Sequence, residues 1–203
     1  MRFVLWLMNH KRMSLMHNIY KTEENRMSLR AKLLSRLSMS QIMEILALTQ
    51  GEANHSVKAA LYHLTQDAER RVATNALWVF THFTEYDNEW LFAKHDELID
   101  RCLTERDTTK LRLMLAILLR QPFEADTVRT DFIDYCLDRI ADPQQPYAIR
   151  AQCIKLAYEQ MKPWRELLVE LRSVLELIAA EPLSPGLRSA CRQVVKRLAK
   201  QLA

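Results

Sequence analysis

The chain has 203 residues, of which 49% are hydrophobic and 27% are charged, and its formal net charge is +4. It contains two glycines, Gly51 and Gly186, where an average usage of about 7% gives about fourteen. Dinucleotide-binding and phosphate-binding loops need several glycines within one short motif. The composition therefore excludes both kinds of loop, disfavours β-hairpins and predicts no cofactor.

The first apolar segment is short: residues 3–8 read FVLWLM, between Arg2 and the basic residues at 10–12. Such a run is too short to span a membrane, and no cleavage site of small residues follows it. Three interpretations stay open: an ordered N-terminal extension that packs on the body, a start assigned too far upstream with Met13 or Met16 as the first residue, and a weak signal peptide. We treat residues 1–24 as an extension or a mis-assigned start, and residues 25–203 as one domain.

After residue 24, apolar residues recur three and four positions apart through almost every long segment, which predicts about nine or ten helices. Prolines mark several helix ends: we place Pro163 and Pro185 in first turns, and Pro122, Pro143 and Pro182 after helix exits. No stretch alternates as a strand does, so the predicted fold class is all-α. The predicted helices are 25–37, 40–49, 56–65, 68–84, 88–104, 108–121, 127–141, 147–161, 163–180 and 185–202.

A two-helix unit repeats along the chain. Four of the helices carry an arginine near their start. In each of them, the residues three, six and seven positions after the arginine lie on one helical face, which is mostly apolar. The helices between them also align, as LIDRCL at 98–103 does with FIDYCL at 132–137. The four arginines recur at intervals of 41, 38 and 38 residues: Arg71, Arg112, Arg150 and Arg188.

This repeat resembles the HEAT and armadillo families, whose period is about 40 to 47 residues. The resemblance implies a right-handed α-α superhelix, or α-solenoid, in which stacked helix pairs share one core. Residues 147–161 and 183–202 also resemble a group of small bacterial HEAT-like proteins, mostly from Bacteroidetes, which are sometimes labelled adenylosuccinate lyase. The signature loop of that lyase is built on Gly-Ser-Ser, and this chain has no Ser-Ser pair, so we do not expect that activity.

The four repeat arginines have two interpretations. Regularly placed guanidinium groups could follow a nucleic-acid backbone. The HEAT resemblance implies instead that each arginine pairs with an acidic residue just upstream, and the chain offers Asp67, Asp107, Asp142 and Glu181. We favour the second interpretation, a structural arginine ladder, because repeat positions normally serve the contacts between neighbouring repeats.

A candidate binding patch lies on the helix predicted at 68–84. Arg71, Asn75, Trp78 and His82 are spaced by four, three and four residues, which places them on one stripe of the helix. They could form a polar and aromatic surface for a ligand. Because the other repeats have Leu119, Ala157 and Val195 at the position of Trp78, a packed tryptophan ring is the competing interpretation.

The cysteines and histidines do not form a predicted metal site. Cys102, Cys136, Cys153 and Cys191 are 34, 17 and 38 residues apart, without the short paired spacings of zinc ligands. They recur at equivalent repeat positions, so we expect small core residues. No histidine pair has the i, i+4 spacing of a helical ligand pair.

The order of charges along the chain is basic, acidic, basic. Residues 1–40 hold eight bases and two acids, residues 41–141 eleven and seventeen, and residues 142–203 ten and six. Many of the acids form an acidic belt from Glu85 to Asp107. We expect this belt to repel phosphates, which disfavours a nucleic-acid partner.

These features favour a non-catalytic interaction or scaffold module for a protein or peptide partner, because repeat helices offer extended surfaces. From the cysteine usage we expect a cytoplasmic protein, and we expect a monomer without a membrane segment. The alternative is a nucleic-acid-binding protein related to the bacterial alkylpurine DNA glycosylases, which are also built from HEAT-like repeats. Trp78, Asp87 and Trp90 supply residue types that the glycosylase resemblance implies.

Overall fold

The computed structural model describes residues 23–124 and 128–203. The predictions about the apolar run at 3–8, about the start of the chain and about a helix beginning at residue 127 lie outside the described residues. Within the described ranges there is no strand, which confirms the all-α fold class. No helix in these ranges is long and apolar enough to cross a membrane.

The helices follow the predicted order. Residues 23–33 form α1, and two short 3₁₀ segments, Glu52–Asn54 and Glu89–Lys94, lie between later helices. The remaining helices are α2 (Met39–Thr49), α3 (His55–Leu64), α4 (Arg70–Phe80), α5 (Glu85–Asn88), α6 (His95–Thr104), α7 (Thr108–Leu118), α8 (Thr130–Ala141), α9 (Tyr147–Met161), α10 (Arg165–Ile178) and α11 (Pro185–Leu202).

The chain divides into two compact units, which we call unit 1, ending at Asp87, and unit 2, Asn88 to Ala203. In unit 1, α2, α3 and α4 pack against one another. Leu61, Leu77 and Phe80 are fully buried there. That residues 25–203 form one domain stays a prediction.

Unit 2 consists of helix pairs in two layers. The pairs are α6 with α7, α8 with α9 and α10 with α11. In one layer α8 contacts α6 and α10, and in the other α9 contacts α7 and α11. We call these the α6/α8/α10 layer and the α7/α9/α11 layer. Their arrangement is the stacking of two-helix repeats that the sequence predicts.

The apolar period sets which face of each helix is buried. In α10 the buried side chains are Leu168, Leu171, Leu175 and Ile178, at the three- and four-residue spacing of one helical face. Full burial of one such side chain contributes about 1.5 to 3 kcal/mol. Packing of this stripe, more than helix propensity, therefore stabilises α10.

Side chains before the first turn define several helix starts. The Ser38 hydroxyl accepts a hydrogen bond from the Gln41 N–H, and the Gln41 side chain accepts one from the Ser38 N–H, which is a capping box. Pro185 lies in the first turn of α11, as predicted. The prediction for Pro163 is wrong, because α10 begins two residues later, at Arg165.

The predicted continuous helix at 88–104 is also wrong. Residues 85–88 form the short α5, Glu89–Lys94 is a 3₁₀ segment, and α6 begins only at His95. Asn88 is buried, and its side-chain amide donates to the carbonyl oxygen of Arg120 at 2.8 Å. This contact holds the chain just before the 3₁₀ segment, and a period of apolar residues does not reveal it.

Candidate functional site

The predicted patch on α4 includes one residue with a structural role. Asn75 is 9% exposed, and its side-chain amide donates to the carbonyl oxygens of Leu33 at 2.8 Å and Ser35 at 2.9 Å. These carbonyls lie at the end of α1, where the helix leaves acceptors without an internal partner. Asn75 therefore caps α1.

The other three patch residues differ in exposure. Arg71 is exposed, whereas Trp78 and His82 are half-buried. The Trp78 and His82 rings lie 5.9 Å apart, centroid to centroid, and are tilted by 58°. The structure thus brings these two rings together, but it assigns Asn75 to the interior of unit 1. A binding role for the patch stays a prediction.

The four ladder arginines are not equivalent. Arg71, Arg112 and Arg188 are exposed, whereas Arg150 is buried. The acids predicted as their partners are used elsewhere: Asp67 bonds Arg30 at 2.7 Å, and Asp107 accepts hydrogen bonds from backbone N–H groups in the first turn of α7. The predicted pairing of each arginine with the acid just before it is therefore wrong.

Arg150 is the one ladder arginine that joins helices of unit 2 from inside the core. It is 1% exposed, and its Nε donates to the carbonyl oxygen of Ile140 at 3.0 Å. Its Nη1 donates to the Glu181 carboxylate at 2.9 Å. Glu181 follows α10, so the ion pair reaches forward along the chain to the next repeat and does not use Asp142.

The four cysteines are buried free thiols, which confirms their prediction as core residues. Burial raises the pKa of Cys102, Cys136 and Cys191 above the usual thiol value, and a protonated, buried thiol is a poor nucleophile. Among the described residues, no group of three or more His, Cys, Asp or Glu side chains could hold a metal ion.

Asp87, from the glycosylase alternative, lies inside unit 1. Its carboxylate accepts hydrogen bonds from Lys58 Nζ at 2.6 Å, the Gly51 N–H at 2.8 Å and Thr84 Oγ1 at 2.9 Å. Burial alone raises the Asp87 pKa, but the bonds from Lys58, Gly51 and Thr84 outweigh burial, and the pKa is lowered. Because these donors surround the carboxylate, its geometry is that of a structural anchor.

Charge is separated between the two layers of unit 2. The helices α6, α8 and α10 together carry nine acids and four bases. The helices α7, α9 and α11 carry one acid and nine bases. The α7/α9/α11 layer is therefore strongly basic, and the part of the acidic belt that lies on α6 belongs to the opposite layer.

Most of the bases of the α7/α9/α11 layer face solvent. Arg150 is buried and Lys110, which bonds Glu105 at 2.9 Å, is half-buried. The exposed bases of the layer, which we call the basic face, are Arg112, Lys155, Arg188, Arg192, Lys196, Arg197 and Lys200.

A cleft lies between the C-terminal halves of α9 and α11, at one end of the basic face. Its volume is about 540 Å³. We call it the basic cleft, because its lining contains three bases and one acid: Tyr158, Glu159, Lys162, Arg197, Lys200 and Gln201.

The polar walls of the basic cleft are bonded to one another. Tyr158 donates its hydroxyl proton to Gln201 Oε1 at 2.9 Å, and Gln201 Nε2 donates to the carbonyl oxygen of Lys162 at 2.7 Å. Glu159 accepts from Lys162 Nζ at 2.9 Å and from Arg197 Nη1 at 3.1 Å. The single acid is therefore shared by two bases, and the cleft keeps an excess of positive charge.

The basic face was not predicted, although the sequence contains a signal for it. The net charges of long blocks hide this signal, because the sign alternates from helix to helix: α6, α8 and α10 are acidic, and α7, α9 and α11 are basic. Because alternate helices share a layer, an alternation in sequence becomes two separate surfaces in unit 2.

A family model described as a HEAT repeat domain matches residues 29–198. The chain therefore belongs to the HEAT repeat family. Neither the curated proteins nor the solved structures contain a match to it. Membership accounts for the paired helices of the fold, but fold alone does not specify a function.

Proposed function

We propose that the chain is a non-catalytic interaction module whose basic face holds an acidic segment of a partner protein. The separation of charge between the layers of unit 2 carries this proposal. The seven residues of the basic face are exposed, while only one acid, Glu159, lies on the helices that carry them. Complementary potentials of this kind speed association and select between partners.

A protein partner fits the basic face better than a nucleic acid does. HEAT repeats commonly mediate protein interactions, and the polar groups of the basic cleft include a carboxylate and an amide side chain as well as bases. Glu159 repels a phosphate backbone and a peptide carboxylate alike, so the preference for a protein partner rests on the common role of HEAT repeats. The nucleic-acid alternative is therefore one outcome of the test and not a second proposal.

Four buried free thiols also support a reducing compartment, because oxidising compartments favour disulfides. We accordingly propose a cytoplasmic location. The role needs no cofactor and no chemistry from the chain itself.

The test is fluorescence anisotropy of a labelled glutamate-rich peptide and of a labelled DNA duplex, at about 50 and 200 mM salt. We expect the peptide to bind, and to bind more weakly at the higher salt. Lys155→Glu, on the basic face, should weaken peptide binding about fivefold or more. Arg172→Glu, an exposed position on α10, makes the same change in net charge and should have a smaller effect.

Two results would overturn the proposal. One is the absence of peptide binding at the lower salt. The other is duplex binding that is tighter than peptide binding and equally sensitive to Lys155→Glu, which would establish the nucleic-acid alternative.

A further inference from the structure

We infer that the basic cleft is the anchor point of this interaction, and that it binds side-chain carboxylates of an acidic peptide segment. This inference rests on the proposed function, because it assigns part of the basic face a specific ligand chemistry. The ligand it commits to is a run of Asp or Glu residues, which presents several carboxylates at close spacing.

The size of the cleft suits such a ligand. Ligand-binding clefts usually measure about 300 to 1,000 Å³, and the basic cleft measures about 540 Å³. This is room for a few side chains, and it is more than an isolated surface lysine offers.

The walls of the cleft are held in place before a ligand arrives. The bonds from Tyr158 to Gln201 and from Gln201 to the backbone of Lys162 join α11 to the end of α9. Arg165 adds a bond of 2.7 Å from its Nη2 to the carbonyl oxygen of Leu202. Preorganised walls reduce the ordering cost of binding.

Two basic side chains of the cleft, Arg197 and Lys200, can still bind a ligand. The guanidinium of Arg197 lies 5.5 Å from the centroid of the Tyr158 ring and bonds Glu159 through Nη1. A guanidinium has five N–H donors in a fork that matches a carboxylate, and no other bond from this one is made within the described ranges. Lys200 is exposed and makes neither an ion pair nor a hydrogen bond there.

Glu159 limits the positive charge of the cleft. Its carboxylate is shared between Lys162 and Arg197 and reduces the net charge of the lining. With three bases and one acid the lining keeps a net positive charge. It therefore attracts carboxylates, and Glu159 weakens that attraction.

The experiment compares two charge reversals on α11 of the full chain, Lys200→Glu in the cleft and Arg192→Glu outside it. Both positions are exposed, and both substitutions change the net charge equally. Anisotropy with the labelled glutamate-rich peptide should show about a tenfold or greater loss of affinity for Lys200→Glu. The loss for Arg192→Glu should stay at about fivefold, as for Lys155→Glu elsewhere on the basic face, and thermal unfolding should show both variants folded.

Equal losses in the two variants would overturn the anchor and leave the proposed function standing. No binding by the wild-type chain would overturn the proposed function itself. A second variant tests the effect of Glu159 on the charge of the cleft: Glu159→Gln keeps an acceptor for Arg197 but removes the negative charge, so we expect peptide affinity to rise. A fall in peptide affinity would contradict the assigned role of Glu159.

Discussion

Buried charges with several partners hold contacts between helices in both units. In unit 2 the Arg150 side chain joins the end of α8 to Glu181. In unit 1 the Lys58 ammonium and the Asp87 carboxylate pair at 2.6 Å, with side chains 3% and 6% exposed. A buried pair contributes little net stability compared with apolar residues, but the loss of one partner is costly.

Replacement of Arg150 should therefore destabilise the protein strongly. We expect Arg150→Met to lower the free energy of unfolding by about 2 to 3 kcal/mol, because the Ile140 carbonyl and Glu181 lose their donor. Urea unfolding followed by circular dichroism measures this. Arg112→Met is the matched control, since Arg112 holds the same repeat position and is exposed, and its effect should be within about 0.5 kcal/mol. Similar effects of the two substitutions would contradict a special role for Arg150.

The Asp87 anchor predicts a dependence of stability on pH. Because its pKa is lowered in the folded state, its contribution is complete above the unfolded-state pKa of about 3.9 and is lost as the pH falls through the lower folded-state pKa. Asp87→Asn lacks this titration. We expect the stability difference between wild type and Asp87→Asn to be larger at about pH 6 than at about pH 2.5 in urea unfolding. A difference that stays constant would show that Asp87 does not titrate as described.

The positions of several helix ends depend on contacts that the apolar period does not reveal. The period and the prolines predicted the positions of most helices and the repeat itself, because both follow from local spacing. They did not predict the break at 88–94, which depends on the bond from Asn88 to Arg120, nor the capping of α1 by Asn75. These contacts join residues more than thirty positions apart, so no local pattern contains them.

The capping role of Asn75 can be tested at the level of α1. Asn75→Ala leaves the carbonyls of Leu33 and Ser35 without a protein donor, at a cost of about 1 to 3 kcal/mol. We expect faster hydrogen exchange of the amides in α1 and a smaller change in α3. Arg71→Ala, on the same face of α4, is the control and should leave the exchange in α1 unchanged; an equal effect would argue against specific capping.

For the chain as a whole, the distribution of charge is more informative than its sum. The formal net charge is only +4, yet one layer of unit 2 is acidic and the other basic. The sequence contained this information in the signs of successive helices, but the assignment of helices to layers required the structure. The residues of the basic cleft could not be predicted for the same reason, because Tyr158 and Gln201 meet only when α9 and α11 pack together.

Retention on a cation exchanger tests this distribution. Lys155→Gln removes a charge from the basic face, and Arg172→Gln removes one from the α6/α8/α10 layer, so the two variants have the same net charge. We expect Lys155→Gln to elute at lower salt than Arg172→Gln, because the resin contacts the basic face. Identical elution would show that retention follows net charge alone.

The two-layer separation of charge also gives unit 2 an electric dipole moment directed across its thickness. A field of this kind exerts a torque on a charged molecule before contact, so an approaching polyanion is turned toward one surface and away from the other. Added salt would then reduce the rate of association more than it shortens the lifetime of the complex. The alternation of acidic and basic helices along the chain therefore determines how unit 2 orients an approaching polyanion.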